Sequence, residues 1–262
     1  MTNNLFSIEY YDGIISKSMQ TAVDEYLQKQ TWHIHWFPFP EVPHKLNRFR
    51  PSEDPSGAFN TWPIVQSSSF ARCCLATNEQ NLKKNHKLIH QLWKDINRAL
   101  DNQYEITGYP EDMFDEEYSA KNGEDGWGWR VYTNGQYSGI SQGSWGPHRD
   151  TPNLDDETSV TILYIVNKEW YPRWSGEFIF YPEDPNKTTG DYQQFNIGEH
   201  QQRRGFNVGW PDQGKIISPV PNRVIVYDGR ALHNCHAPSS GRNSKPLIRV
   251  VFRARRRKKN VR

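Results

Sequence analysis

The chain has 262 residues and a net charge of only +2, with 13% aromatic residues, ten Trp, seventeen Pro and eighteen Gly. That length fits one domain with embellishments, long enough to bury a sizeable core. The mean hydropathy of −0.88 and the lack of an apolar run of spanning length argue against a membrane-spanning helix, and the abundance of turn residues argues against a helical bundle.

The N-terminal stretch MTNNLFSIEYYDG has no basic-then-apolar leader pattern. Residues 17–29 are expected to form a short helix, and 30–70, rich in Pro and aromatics, irregular packed structure. Cys73 and Cys74 are adjacent and Cys235 is distant, a poor disulfide framework that suggests a reducing, cytoplasmic location. Residues 78–101 predict one long helix. Leu82, His86, Ile89, Trp93, Ile96 and Leu100 recur at spacings of three and four, and Asn78 can cap the start.

Beyond residue 127 the texture changes. Trp129–Tyr132, Ser159–Val166, Glu177–Tyr181, Arg223–Tyr227 and Leu247–Ala254 read as strands, β-branched or aromatic and bounded by turn residues. Such spacing predicts a sandwich or barrel. The polar stretch 182–215 is too long for an ordinary hairpin and suggests an insertion or lid. The chain ends in RARRRKKNVR, a basic tail over 255–262. It could bind nucleic acid or simply be a solvated terminus.

The tripeptide His148-Arg149-Asp150 carries the first chemical signal. A kinase catalytic loop would need Asn at position 155, where the chain has Asp, together with an Asp-Phe-Gly and a preceding Gly-rich loop, which it lacks. The other reading is part of a metal site. With nine His and thirty acidic residues, about one chance His-x-Asp/Glu is expected, so a distal ligand is needed. A two-His-one-carboxylate iron site takes its third ligand from a remote strand and leaves positions open for co-substrate and oxygen. The stretch PNRVIVYDGRALHNCHAPSSG supplies a strand, an Asp-Gly turn and then His233, with His236 as the alternative. Next comes LIRVVFR, in which Arg249 sits inside an apolar strand. A cation there is costly unless it meets an anion, and Arg grips a carboxylate through two parallel hydrogen bonds.

Taken in order, Tyr132-Thr-Asn-Gly135, His148-Arg-Asp150, Thr161-Ile-Leu-Tyr164, Ser175-Gly-Glu177, Arg223-Val-Ile-Val-Tyr227, Leu232-His233 and Arg249-Val-Val-Phe252 resemble the Fe(II)/2-oxoglutarate dioxygenase superfamily, in particular its prolyl-4-hydroxylase-like branch. The resemblance spans residues 129–254. It implies a double-stranded β-helix, a distorted jelly roll, mainly β with supporting helices. Residues 1–128 would pack on that core as a helical and irregular region. It also implies Fe(II) ligands His148, Asp150 and His233, 2-oxoglutarate held by Arg249 with Tyr132 as a second donor, O2 as co-substrate, and ascorbate as a further candidate. In the prolyl-hydroxylase branch the cation often falls nine or ten residues after the His, a region that here offers Arg242 and Lys245. Arg249 is preferred because a strand fixes its direction. Halogenating relatives replace the Asp by a small residue, so Asp150 favours hydroxylation.

On this reading the substrate is a small molecule or a peptidyl or amino-acid residue. Trp129 would line the mouth, and Arg203 and Arg204 in the lid would meet an acidic substrate. His33 and His35, two residues apart, could suit a metal but have no evident third ligand. Cys235 and His236 beside His233 hint at zinc but lack a Cys-x-x-Cys partner. The competing readings are a non-catalytic metal- or ligand-binding jelly roll, and a nucleic-acid-associated protein acting through its tail.

Overall fold

A computed structural model describes residues 6–34, 48–49, 70–106, 130–136, 149–151, 155–181, 215–236, 238 and 246–257. His35, Trp129, His148, Arg203, Arg204, Arg242 and Lys245 lie outside the described residues, as do 182–214 of the expected lid and 258–262 of the tail.

Helix α1 (Lys17–Gln28) begins where Ser16 Oγ accepts the Met19 N–H at 3.2 Å, satisfying one of the amides left over at a helix start. Its buried face carries Gln20, Val23 and Leu27. The helix expected over 78–101 is two helices, α2 (Glu79–Asn85) and α3 (Lys87–Ala99). His86 breaks them with φ −134° and ψ 60°, and its Nδ1 meets the Tyr26 hydroxyl at 2.7 Å. A polar ring with its own partners pulls the backbone out of the helical region, which an apolar-stripe reading of His86 misses. Asn78 caps α2 as expected, accepting from Asn81 N at 2.8 Å.

Twelve strands are present among the described residues: β1 (Ile8–Asp12), β2 (Trp32–Ile34), β3 (Arg48–Phe49), β4 (Phe70–Ala76), β5 (Tyr104–Glu105), β6 (Val131–Gln136), β7 (Ser159–Ile165), β8 (Phe178–Phe180), β9 (Lys215–Ile217), β10 (Arg223–Asp228), β11 (His233–Cys235) and β12 (Leu247–Arg256). All pairings are antiparallel. A nine-stranded sheet runs β1-β10-β7-β12-β6-β4-β2-β3, with β5 against the end of β12, and a second sheet runs β11-β8-β9. The five expected strands appear with their ends shifted by a few residues. β12 continues through Arg255 and Arg256, opposite Glu105 and Tyr104, so the first two cations of the basic end belong to the sheet. Strands from the first 128 residues join the large sheet: β1 pairs with β10, and β4 pairs with β6.

Strand alternation divides the large sheet into two apolar faces. Ile162, Tyr164, Val224, Val226, Val250, Phe252 and Ala254 face Val23, Leu27, Ile89, Leu92, Trp93 and Ile96 of the helices. Trp93 and Phe252 meet with ring centroids 5.2 Å apart, and each ring so buried contributes about 2–3 kcal/mol. The opposite face carries Tyr132, Leu163, Ile165, Ile225, Tyr227, Leu247 and Val251. They pack against Phe178, Phe180 and Ile217 of the second sheet. Polar and charged groups interrupt this second cluster. No helix among the described residues is long and apolar enough to cross a membrane.

Candidate functional site

The polar groups between the sheets arrive on several elements. Asp150 stands just before β7, where its backbone N–H and that of Thr151 both donate to Gly229 O, at 2.9 and 3.0 Å. Arg149 adds a guanidinium bond to the Arg230 carbonyl. Arg149, Asp150 and Thr151 are thus tied to the turn that follows β10. Gly229 allows this approach because a Cβ there would fall inside contact distance of Ser159 Oγ. The turn then delivers His233 at the start of β11, opposite Phe180 on β8.

Asp150 and His233 therefore stand side by side, with Oδ1 and Nε2 3.8 Å apart and both side chains 3% exposed. His233 Nδ1 lies 2.9 Å from Ala231 O. A carbonyl can only accept, so Nδ1 carries the proton, and in the neutral ring Nε2 presents a lone pair on the Asp150 side. Tyr227 OH donates to Asp150 Oδ2 at 2.6 Å and lies 3.2 Å from His233 Nε2. Thr161 Oγ1 donates to Oδ2 at 2.7 Å, and Arg253 Nη1 pairs with the same oxygen. A first-row divalent ion with bonds near 2.1 Å holds adjacent donors about 3 Å apart. Modest rotations would bring Asp150 Oδ1 and His233 Nε2 to that spacing, so the donors present fit such an ion. Among the described residues no third His, Cys, Asp or Glu completes a metal-binding group. His148 is two residues from Asp150 in sequence.

The structure brings His233, and not His236, to Asp150. His236 Nδ1 is 3.8 Å from Glu177 Oε2, and its backbone N–H bonds Glu177 O. That glutamate belongs to the Ser-Gly-Glu segment, where Ser175 and Gly176 both have positive φ. At Gly176 a side chain would also meet Leu247 Cδ2 at 2.9 Å.

Arg249 lies between the sheets, 2% exposed, its guanidinium 4.9 Å above the Phe178 ring. Cys235, opposite Phe178 in register, hydrogen-bonds the guanidinium. Burial pushes the Cys235 thiol up despite the cation, so Arg249 has a neutral thiol beside it. Cys235 follows His233 by two residues on one strand face, a step of about 7 Å. A five-carbon dicarboxylate spans roughly that length, so Arg249 is placed to take one end of such a molecule while the other approaches Asp150 and His233.

Tyr132 is buried on the same face, but its hydroxyl accepts from Arg253 Nε at 3.2 Å. It stands on the Asp150 side of the site, a step along β12 from the place expected for a partner of Arg249. Sequence reasoning missed Arg253, Tyr227 and Thr161, which surround the carboxylate. The signal for Arg253 was present: in Leu247-Ile-Arg-Val-Val-Phe-Arg253, alternation puts both arginines on one face. Burial and the nearby carboxylate push the Tyr227 phenol well above its ordinary value. For Arg253, burial acts downward, but the Asp150 charge more than offsets it and the net shift is upward.

Known proteins bear on this geometry through fold alone. No protein-family model and no curated protein matches the sequence. Among solved structures, HygX from Streptomyces hygroscopicus with nickel and 2-oxoglutarate bound aligns at TM-score 0.51 and 9% identity, over 95% of this chain and 84% of that one. A 2OG-Fe(II) oxygenase family oxidoreductase from Burkholderia pseudomallei aligns at 0.47 and 11%, over 95% and 84%. A prolyl-4-hydroxylase from Pseudomonas putida aligns at 0.45 and 11%, over 97% and 94%. The likeness to HygX is one of fold.

Proposed function

We propose that this protein is a non-haem Fe(II)/2-oxoglutarate-dependent dioxygenase whose two sheets form a double-stranded β-helix. Its reaction would be hydroxylation of an unactivated C–H in a small molecule or a peptidyl or amino-acid residue. The observation that carries the reading is the pairing of Asp150 Oδ1 with His233 Nε2, with a buried Arg249 one strand step deeper. The fold similarity to HygX with nickel and 2-oxoglutarate bound supports it.

His148, Asp150 and His233 would hold the iron, and Arg249 would hold the far carboxylate of 2-oxoglutarate. The bound iron and co-substrate would supply O2-dependent oxidation, releasing succinate and CO2. The chain's own residues do the positioning. Thr161 and Tyr227 donate to Asp150 Oδ2 and so direct Oδ1 toward His233. The Ala231 carbonyl fixes the His233 tautomer. Phe178, Phe180, Leu247 and Val251 line the surrounding interior and exclude water, which strengthens the grip of Arg249 on an anion. Tyr132, through Arg253, belongs to the support of the carboxylate.

The test is an anaerobic titration of the metal-free protein with Fe(II) and 2-oxoglutarate, following the visible iron-to-oxoglutarate charge-transfer band. A band in the wild type that is lost in Asp150→Ala and needs more oxoglutarate in Arg249→Ala is expected. A folded wild-type protein with no band at saturating metal would overturn the reading in favour of a non-catalytic ligand-binding jelly roll.

A further inference from the structure

The Asp150 carboxylate is 3% exposed. An ionised carboxylate so buried is costly unless a counter-charge stands beside it. His233 cannot be that charge while its ring is neutral, and Arg249 is engaged with Phe178 and Cys235. Among the described residues, Arg253 pairs with that carboxylate. Nη1 pairs with Asp150 Oδ2 and also donates to Thr161 Oγ1 at 2.9 Å, while Nε donates to Tyr132 OH at 3.2 Å. These contacts hold the guanidinium by two edges. Register places it too, since Arg253 is opposite Thr161 across the β12–β7 pair.

We propose that Arg253 is a positioning residue that stands in for the charge of the ion at Asp150. It keeps the carboxylate buried and aimed before metal arrives, and it opposes the metal electrostatically once metal binds. The inference rests on the metal reading above. Two consequences follow from charge alone. Without metal, loss of Arg253 strands a buried anion. With metal, the ion repairs that defect, so by linkage the variant must bind metal more tightly than the wild type. A merely structural arginine would lower stability equally in both states and leave metal affinity unchanged.

The experiment compares wild type, Arg253→Met, Asp150→Asn and the double variant by thermal unfolding, in EDTA and in saturating Mn(II). Mn(II) binding is followed in parallel by EPR of the free ion. In EDTA, Arg253→Met is expected to melt lowest, and the double variant to recover most of the loss because neither charge of the pair remains. Mn(II) is expected to raise the melting temperature of Arg253→Met more than that of wild type. It should bind the variant on the order of ten-fold more tightly. If Arg253→Met folds only with Mn(II), the proposal stands. If it folds under neither condition, a folded double variant supports the proposal and an unfolded one overturns it. A double variant no more stable than Arg253→Met, or wild-type Mn(II) affinity in Arg253→Met, overturns it as well. A wild type that binds no Mn(II) sinks the metal reading itself, whereas the EDTA comparison still reads the Arg253–Asp150 coupling.

Discussion

The Tyr227 hydroxyl donates to Asp150 Oδ2 at 2.6 Å, and its own oxygen lies 3.2 Å from His233 Nε2. One phenol therefore touches both groups assigned to the metal. Its pKa is driven up by burial and by the Asp150 charge, so it remains a donor wherever the protein is folded. Tyr227→Phe keeps the ring but removes the proton. Stability is expected to fall by about 1.5–3 kcal/mol, the usual worth of a hydrogen bond to a charged group. Urea unfolding with an unchanged m-value would show it. Phenolate absorbance attributable to Tyr227 should be missing at pH 10, the ordinary midpoint for tyrosine.

On the proposed reading, co-substrate binding turns on Arg249. Truncating one partner of a buried, hydrogen-bonded charge pair costs about 2–5 kcal/mol. Arg249→Met should thus weaken 2-oxoglutarate binding by at least one order of magnitude while leaving Mn(II) binding intact. Arg249→Lys should recover part of the affinity, because it restores charge but not the two-pronged grip. Calorimetric titration of 2-oxoglutarate into the Mn(II)-loaded protein separates the two effects.

Gly229 sets how closely Asp150 approaches β10. Its carbonyl takes two N–H bonds from the Asp150 segment, and a Cβ would press on Ser159. Gly229→Ala should push the turn away from β7 and cost about 1–3 kcal/mol, as overpacking does. Metal affinity should fall with it. Gly229→Ala/Ser159→Gly should restore both, since it removes the atoms that clash.

The break between α2 and α3 gives stability a pH dependence. His86 accepts from the Tyr26 hydroxyl and bonds the Leu75 backbone, and burial lowers its pKa from the ordinary 6.5. A depressed folded-state value means the unfolded chain takes up the proton first. Stability from this group is therefore full above pH 6.5 and declines as pH falls from there through the folded-state value. Asp12, lowered by its Arg223 partner, acts in the same sense but only in the range below 3.8. The urea midpoint should fall between pH 7.5 and 5.5 in wild type, and this slope should flatten in His86→Gln.

Much of the second half of the chain was legible because its strands are rich in Val, Ile and aromatics and are bounded by turn residues. The pairing of His233 with the His-Arg-Asp segment could be read from a strand and an Asp-Gly turn. Strands of the first half were missed, β1 and β4 among them. β1, IEYYD, buries only Ile8 fully and is otherwise polar at the sheet edge. β4, FARCCLA, is short of the β-branched residues that mark a strand. Arg253 was passed over because a cation near a basic terminus reads as solvated. Only the partner from residue 150, more than a hundred positions away, reveals its role. Tyr227 was read as the end of a strand, and nothing local marks its hydroxyl as the link between a carboxylate and an imidazole.

Strand β12 carries Ile248, Val250, Phe252 and Ala254 toward the helices. Leu247 and Val251 point to the opposite side, where Arg249 and Arg253 meet Phe178 and Asp150. Insertion or deletion of a single residue early in this strand would exchange the two sets. The guanidinium groups would be driven against Trp93, and aliphatic side chains would be left facing the carboxylate. A change of two residues would preserve the facing and shift only the depth. Lineages of this protein should therefore vary in length through the segment before Pro246 and accept changes within β12 only in even steps, so that the strand acts as a parity check on the site.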